Sequence, residues 1–171
     1  MTKTKVQIRL AKNSDLTEIQ TLFVETIEAV CKNDYSPEQI EVWTSSVKNT
    51  PRWIDKLTKQ YFLVAQINNQ IVGFASLEKQ DYLDLLYVHK DHQRKGIAAQ
   101  LYQEIEARAI DRGAAIINAD VSITAKPFFE QFGFEIITAQ INNLKNVEII
   151  NYRMSKVLQK PPQSERILSA K

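Results

Sequence analysis

The stretch that decides the fold is LLYVHKDHQRKGIAAQLYQEIEARA, residues 85–109. An apolar run leads into it and an amphipathic pattern with helical period leads out of it. Between the two lie Gly96, one of only four glycines in the chain, and both histidines, His89 and His92. The pattern predicts a strand, a loop that contains a glycine, and a helix of roughly 15 residues.

A loop of this kind, at the start of a helix, is suited to bind an anion. The first N–H groups of a helix have no intrahelical partner, and the helix dipole adds positive charge at the same end. Gly96 lets a phosphate approach the backbone because it has no Cβ, and Lys90, Arg94 and Lys95 add attraction. The run QRKGIA is therefore suited to hold a pyrophosphate, although it matches neither the dinucleotide-binding G-x-G-x-x-G motif nor a P-loop.

The elements around this stretch predict the order β-α-α-(α)-β-β-β-α-β-α-β-β. Antiparallel hairpins surround one strand–helix–strand crossover, which predicts an α/β single-domain fold with a mixed, mostly antiparallel sheet and flanking helices. Asn68-Asn69 is a hairpin turn signal, and Asp15 with Glu18 reads as a helix cap. We expect the domain to span residues 1–156 and residues 157–171 to form a loosely ordered tail.

Composition excludes several function classes. The chain has 171 residues, 44% of them hydrophobic and 25% charged, as expected of one globular domain. No apolar run is long enough to span a membrane, and the single cysteine excludes an internal disulfide or a cysteine-rich metal site. The net charge of +2 does not indicate nucleic-acid binding. The sequence favours a cytoplasmic protein without a metal, a membrane partner or a nucleic-acid partner.

Two motifs at this spacing resemble those of the GNAT family, the GCN5-related N-acetyltransferases. The signature Q/R-x-x-G-x-G/A matches residues 93–98, QRKGIA, and a second block, A-x-x-F/Y-Y-x-x-x-G-F, is similar to residues 125–134, AKPFFEQFGF. The element order is also that of the family, and the resemblance covers residues 5–156. YSPEQIEVW, residues 35–43, and AKPFFEQFGF are similar to a bacterial YafP-like subgroup.

The resemblance implies acetyl-CoA as cosubstrate and a set of residues that hold it. The strand before the loop would splay from its neighbour and pair with the pantetheine arm, and the loop amides would hold the pyrophosphate. Leu83 and Leu85 are expected on one strand face and Leu86 and Val88 on the other, and this loss of strict alternation is compatible with a bulge in that strand. The implied cofactor-binding residues are Leu86, Tyr87, Val88, Gln93, Arg94, Lys95, Gly96, Ile97, Ala98, Ala99, Ser122, Lys126 and Phe129.

The implied chemistry is attack of a neutral amine on the thioester. It calls for a base, an oxyanion donor and an acid for the sulfur, and the donor would be a backbone N–H near Val88. Many family members place a Tyr acid where this chain has Phe129, so Tyr87 and Tyr152 are the alternative acids. Asp84 is the favoured base; Glu78, Asp120 and a water chain are the alternatives.

The acceptor is expected to be a primary amine on a small molecule or a peptide. Glu28, Tyr35 and Trp43 lie where this fold usually builds the acceptor pocket. Cys31 is expected to be a plain thiol, because no basic pattern beside it would activate the sulfur. Two other readings remain open, a CoA-binding sensor without catalysis and a nucleotide-binding regulatory domain, and a homodimer is possible within the family.

Overall fold

The computed structural model describes residues 5–159. The strands are β1 Gln7–Leu10, β2 Tyr61–Ile67, β3 Gln70–Glu78, β4 Tyr82–Val88, β5 Ile116–Ser122, β6 Glu135–Leu144 and β7 Val147–Val157. The helices are α1 Leu16–Val30, α2 Pro37–Thr44, α3 Thr50–Lys59, α4 Ile97–Asp111 and α5 Lys126–Gln131. Their order along the chain is the one that the sequence predicted.

The strands form one seven-stranded sheet in the order β1-β2-β3-β4-β5-β7-β6. Every pair of neighbours is antiparallel except β4 and β5, which the crossover through α4 makes parallel. This arrangement confirms the predicted fold class, a mostly antiparallel sheet with one crossover. The single parallel pair lies in the middle of the sheet, where the site is built.

Helices cover both faces of the sheet, so the core has two halves. Helices α1, α2 and α3 enclose one apolar cluster, which includes Ile19, Phe23 and Trp53. Helix α4 and the segment around α5 enclose the other, which includes Leu101, Ile105 and Phe129. Strands β3 and β4 contribute to both clusters because alternate side chains point to opposite faces.

Gly73 lets α4 pack close to the sheet. A Cβ at this position would lie 3.1 Å from Leu101 Cδ1, 3.1 Å from the Tyr87 carbonyl oxygen and 3.2 Å from Ile97 Cγ2. At these distances the carbonyl and the two packed side chains would have to shift by a few tenths of an ångström to admit a Cβ. The glycine therefore sets how near the first turn of α4 comes to β4.

Several local predictions can be compared with the structure. Asn68 and Asn69 have φ values of 49° and 64°, which confirms the predicted hairpin turn. Asp15 occupies the predicted N-cap position of α1, but its side chain makes no capping hydrogen bond and Glu18 closes no capping box, so this part of the prediction is wrong. Asp15 makes a two-point ion pair with Arg9 instead, and Glu18 Oε1 accepts from the backbone N–H of Ile71 at 2.7 Å. Groups outside α1 therefore bind both carboxylates.

The packed domain extends slightly beyond the predicted boundary at residue 156. Strand β7 continues to Val157, and Leu158 is buried, with its N–H donating to the Ala115 carbonyl at 2.8 Å. The predicted tail otherwise lies outside the described residues. Between residues 5 and 159, no helix combines the length and apolar character that crossing a membrane requires.

Candidate active site

The site begins where the two parallel strands separate. Strands β4 and β5 pair only at Tyr82–Asn118 and Leu83–Ala119, and beyond that point they diverge. A cleft of about 1000 Å³ opens between them. Its walls come from the ends of β4 and β5, the loop before α4, the segment around α5, and the end of α1.

A β-bulge lies at the base of this cleft. Ser76 pairs with Leu85 and Leu77 with Leu83, so Asp84 is the extra residue of β4. The bulge turns Leu83 and Leu85 to opposite faces of the sheet. The expected bulge is therefore present, but the prediction that Leu83 and Leu85 share one strand face is wrong, because the extra residue lies between them. The bulge also places Asp84 in the wall of the cleft.

The backbone of β4 presents unpaired groups to the gap. The N–H of His89 donates to β3 at the Val72 carbonyl, at 2.8 Å, so the preceding pair, Val88 with Gly73, is a non-hydrogen-bonded pair. In such a pair the N–H and C=O face away from the partner strand. Those of Val88, and by the same alternation those of Leu86, therefore face the side on which β5 has diverged.

The Val88 carbonyl already has two donors. Gln93 Nε2 donates to it at 2.5 Å and Thr26 Oγ1 at 3.2 Å. Both bonds hold the end of β4 against the loop and against α1. The Val88 N–H has no such partner among residues 5–159, so it is the group that the strand leaves available in the cleft.

The loop before α4 is shaped by two residues with left-handed backbone conformation, Arg94 with φ of 59° and Gly96 with φ of 78°. Gly96 is the N-cap of α4, and a Cβ there would meet no atom within 4 Å. Helical bonding begins at the N–H of Gln100, which donates to Gly96 O at 3.1 Å. The preceding amides, from Ile97 to Ala99, are the unpaired donors of the helix start.

Most of the predicted cofactor residues line the cleft. The lining members are Leu86, Tyr87, Val88, Gln93, Arg94, Gly96, Ile97, Ala98, Ala99, Ser122 and Phe129. Two of the predicted cofactor-binding residues, Lys95 and Lys126, are not in the cleft wall. Lys95 Nζ bonds back to the Asp91 carbonyl at 3.1 Å, and Lys126 forms a surface ion pair with Glu130 at 3.2 Å. Ser122 Oγ accepts from the Ala125 N–H at 3.0 Å and so holds the turn before α5.

Asp84 is held by α3. Its Oδ2 accepts from Lys56 Nζ and, at 2.8 Å, from Gln60 Nε2. The carboxylate side chain is 14% exposed and the Lys56 side chain 16%. Both bonds reach the same oxygen, and Oδ1 has no partner among the described residues.

Of the two tyrosines predicted as acids, one lies in the cleft. Tyr87 lines the cleft and stacks on Phe74 with ring centroids 5.3 Å apart. Burial, with help from neighbouring acidic groups, raises its pKa, so the phenol keeps its proton at neutral pH. Tyr152 is not in the cleft wall; its ring lies under Lys126 Nζ at 5.6 Å. The structure therefore brings Asp84 and Tyr87 together and leaves Tyr152 apart.

Two of the three residues predicted to contact the acceptor line the cleft. Tyr35 and Trp43 line the cleft with ring centroids 5.3 Å apart. The Tyr35 hydroxyl donates to the Ile150 carbonyl at 2.8 Å and accepts from the Ile123 N–H at 2.9 Å, and burial raises its pKa to about 12. Glu28 is exposed on α1 and is not in the cleft wall, because its helical position faces solvent.

Cys31 lies in the cleft wall as a buried thiol. Burial raises its pKa, which disfavours the thiolate that a nucleophile would need. The prediction that this cysteine is a plain thiol therefore agrees with its surroundings.

Asp120 belongs to a polar network on the sheet face that forms the floor of the cleft. It accepts from Arg153 Nε at 2.6 Å, Tyr82 Oη at 2.9 Å and Gln140 Nε2 at 2.9 Å. Burial favours the neutral form, but these three donors outweigh it and lower the pKa of Asp120 below its ordinary 3.8. Both oxygens of Asp120 accept hydrogen bonds, whereas Asp84 accepts only through Oδ2 among the described residues, so Asp120 is the weaker base candidate.

The Asp120 network gives a pH prediction. Because the folded pKa lies below the unfolded one, the pair stabilises the fold fully above about pH 4, and this stability is lost as the pH falls through the folded pKa. We expect Asp120→Asn to lower the free energy of unfolding by about 1 kcal/mol at neutral pH, since the pair is partly exposed. Urea unfolding should show the difference shrinking towards about pH 3.

Glu130→Gln is the matched control, because it removes a carboxylate from the exposed pair with Lys126. It should change stability little at either pH. A constant difference between Asp120→Asn and the unaltered protein across the whole pH range would contradict the role given to this ion pair.

Sequence reasoning missed several residues of the cleft wall, among them Thr26, His92, Asn142 and Asn151. Thr26 lies one turn before the end of α1, and its helical position among apolar neighbours was the available signal. His92 Nδ1 is buried without a hydrogen-bond partner among the described residues. Burial, then the nearby Lys95, lowers the pKa of His92, so it is not simply a solvated loop residue.

Divergent parallel strands, outward-facing strand amides and a helix start in one cleft define an acyl-CoA N-acyltransferase of the GNAT type. The model of the acetyltransferase (GNAT) domain matches residues 31–156. The chain belongs to this family.

Similar proteins are also named as N-acetyltransferases. The chain is 32% identical over 149 residues to the uncharacterized N-acetyltransferase YafP of Escherichia coli strain K12, which covers 87% of this chain and 94% of the relative. This match confirms the predicted YafP-like subgroup. The crystal structure of a GCN5-related N-acetyltransferase from Rhodopseudomonas palustris has a TM-score of 0.88 at 31% identity, covering 92% of this chain and 99% of that one.

A more distant structure shares the fold. The PaiA N-acetyltransferase from Thermoplasma acidophilum, solved in complex with coenzyme A, has a TM-score of 0.72 at 20% identity. The alignment covers 90% of this chain and 99% of that one.

Proposed function

We propose that the protein transfers the acetyl group of acetyl-CoA to a primary amine of a small molecule or a peptide, by direct attack on the thioester. The observation that carries this proposal is the unpaired Val88 N–H in the gap between β4 and β5, beside the open backbone of Gly96. The edge of β4 suits the pantetheine arm of CoA, and the start of α4 in the same cleft suits its pyrophosphate.

The cleft fits the cosubstrate. The N–H and C=O of Leu86 offer strand-like hydrogen bonds to the amides of a pantetheine arm, which leaves the Val88 N–H for the thioester carbonyl. The amides from Ile97 to Ala99 offer donors to a pyrophosphate, and Gly96 leaves room for it. The complex of the PaiA enzyme with coenzyme A supports this proposal by analogy of fold.

The roles of the side chains follow from their positions. The amine nitrogen bonds to the thioester carbonyl carbon, and Asp84 takes a proton from the nitrogen through its Oδ1. The Val88 N–H donates to the oxyanion that develops on the carbonyl oxygen. The C–S bond then breaks, and Tyr87 supplies a proton to the departing thiolate, which leaves as CoA.

The acceptor site is proposed to lie between the aromatic pair Tyr35 and Trp43 and the polar floor. Asn142 and Asn151 line this part of the cleft, and Asn142 Nδ2 donates to Asn151 Oδ1 at 2.9 Å. An acceptor that carries hydrogen-bonding groups next to an apolar part suits such a surface.

Calorimetric titration with CoA and acetyl-CoA, with ATP as control, followed by thiol release over a panel of small amines and peptides, tests the proposal. We expect CoA binding without competition from ATP, and release of free thiol with at least one amine. Binding without turnover on any acceptor would favour a CoA sensor, and ATP competing with CoA would favour a nucleotide-binding domain.

A further inference from the structure

A second concave site lies at the other end of the sheet. It is a pocket of about 640 Å³ between the end of α3, the β3–β4 turn and the last turn of α4. Its walls share no residue with the acyltransferase cleft. We name it the basic pocket, and its lining residues are Leu10, Lys59, Gln60, Tyr61, Lys79, Gln80, Asp81, Arg108 and Arg112.

The charges of the basic pocket are unbalanced. Four cations line it, Lys59, Lys79, Arg108 and Arg112, against one carboxylate, Asp81, so the walls carry a formal charge of +3. A concave surface lined by one sign of charge concentrates the field and attracts counter-ions.

Three of these cations are not neutralised within the fold. Lys59 has a partner, Asp55, at 2.6 Å. No ion pair to Lys79, Arg108 or Arg112 occurs in the part of the chain that the structure describes. Arg108 is fixed in another way, because its guanidinium lies over the Tyr61 ring with 4.8 Å to the centroid. This cation–π contact positions the group and leaves its charge in place.

A purely structural role explains only part of this arrangement. Cations in the last turn of a helix stabilise its dipole, which accounts for Arg108 and Arg112 at the end of α4. It does not account for Lys79, which comes from the β3–β4 turn and has a φ of 54°. Nor does it account for Leu10, which is 59% exposed at the wall of the same pocket.

We propose that the basic pocket binds a small anion with two or more phosphate groups. The two guanidinium groups offer planar sets of donors that match phosphate oxygens, and Lys79 adds a third charge from the opposite wall. Leu10 gives an apolar surface beside them. The site is separate from the pyrophosphate site of the cleft and does not depend on the proposed activity.

Titration of the full chain with tripolyphosphate, at physiological ionic strength, tests this site. The variant pair Lys79→Gln with Arg112→Gln removes two exposed cations of the pocket, and Arg94→Gln is the control in the loop of the cleft. We expect binding below about 1 mM that weakens about tenfold or more in the pocket variant and survives in Arg94→Gln. Thermal unfolding without ligand checks that the variants remain folded.

Other outcomes overturn the proposal or distinguish between ligands. Weakening by Arg94→Gln alone would place the anion at the cleft, and no binding up to about 1 mM would leave the pocket without a ligand of this class. ADP and a short single-stranded DNA distinguish the sources of phosphate. ADP binding that depends on the pocket cations supports a small ligand. Binding of the DNA alone would instead make the pocket part of a nucleic-acid surface.

Discussion

Gly96→Glu is expected to abolish measurable CoA binding at ordinary concentrations. Gly96 lies at the start of α4 in the cleft wall, with open space where a side chain would project. A carboxylate there would face the pyrophosphate, and two like charges about 4 Å apart repel by about 4 kcal/mol at an effective dielectric of 20. A fraction of this repulsion is enough to weaken CoA binding on the order of a hundredfold. Calorimetric titration with CoA measures this loss of affinity.

The chain supplies a matched control in Gly113→Glu. Gly113 has a φ of 86°, close to the 78° of Gly96, and a Cβ there also meets no atom within 4 Å. Both substitutions therefore cost a similar backbone strain, about 1–2 kcal/mol, but Gly113 follows the C-terminus of α4, away from the cleft. We expect normal CoA affinity for Gly113→Glu. Equal affinity of the two folded variants would refute the pyrophosphate assignment.

The fold was predictable because its signals are local and repeated. The Asn68-Asn69 turn and the amphipathic period of α4 each depend on residues a few positions apart. The crossover rule then places β4 beside β5. The loss of strict alternation in β4 was compatible with a bulge, but the sequence did not locate the extra residue at Asp84, so Leu83 and Leu85 were wrongly expected on one face.

The partners of the charged residues were not predictable. Asp15 and Glu18 have the spacing of a helix cap, but Arg9 and the Ile71 N–H compete for them across the fold. Asp84 and Lys56 are 28 positions apart, so no spacing rule could pair them. The same limit applies to Glu28 and Tyr152, whose distance from the cleft depends on the exact rotation of α1 and the face that β7 presents.

A β-bulge gives Asp84 its exposure to the cleft, and α3 gives it a fixed orientation. If Asp84 is the base, Asp84→Asn replaces the carboxylate by an amide that is too weakly basic to accept the proton, and it keeps the shape of the side chain. We expect kcat to fall on the order of a hundredfold at neutral pH, the typical worth of a positioned base. CoA affinity should stay nearly unchanged, because the pyrophosphate loop and the Val88 N–H do not involve this carboxylate.

Lys56→Gln separates a chemical role of Asp84 from a structural one. It breaks the same ion pair with Asp84 but leaves the carboxylate in the cleft, and Gln60 still donates to Oδ2. If the ion pair matters only for the shape of the cleft, both variants should lose kcat alike, and the dependence of kcat on pH should keep its form. If Asp84 takes the proton, only Asp84→Asn should lose the limb on which kcat rises with pH, because only that variant has lost the group whose ionisation the limb reports.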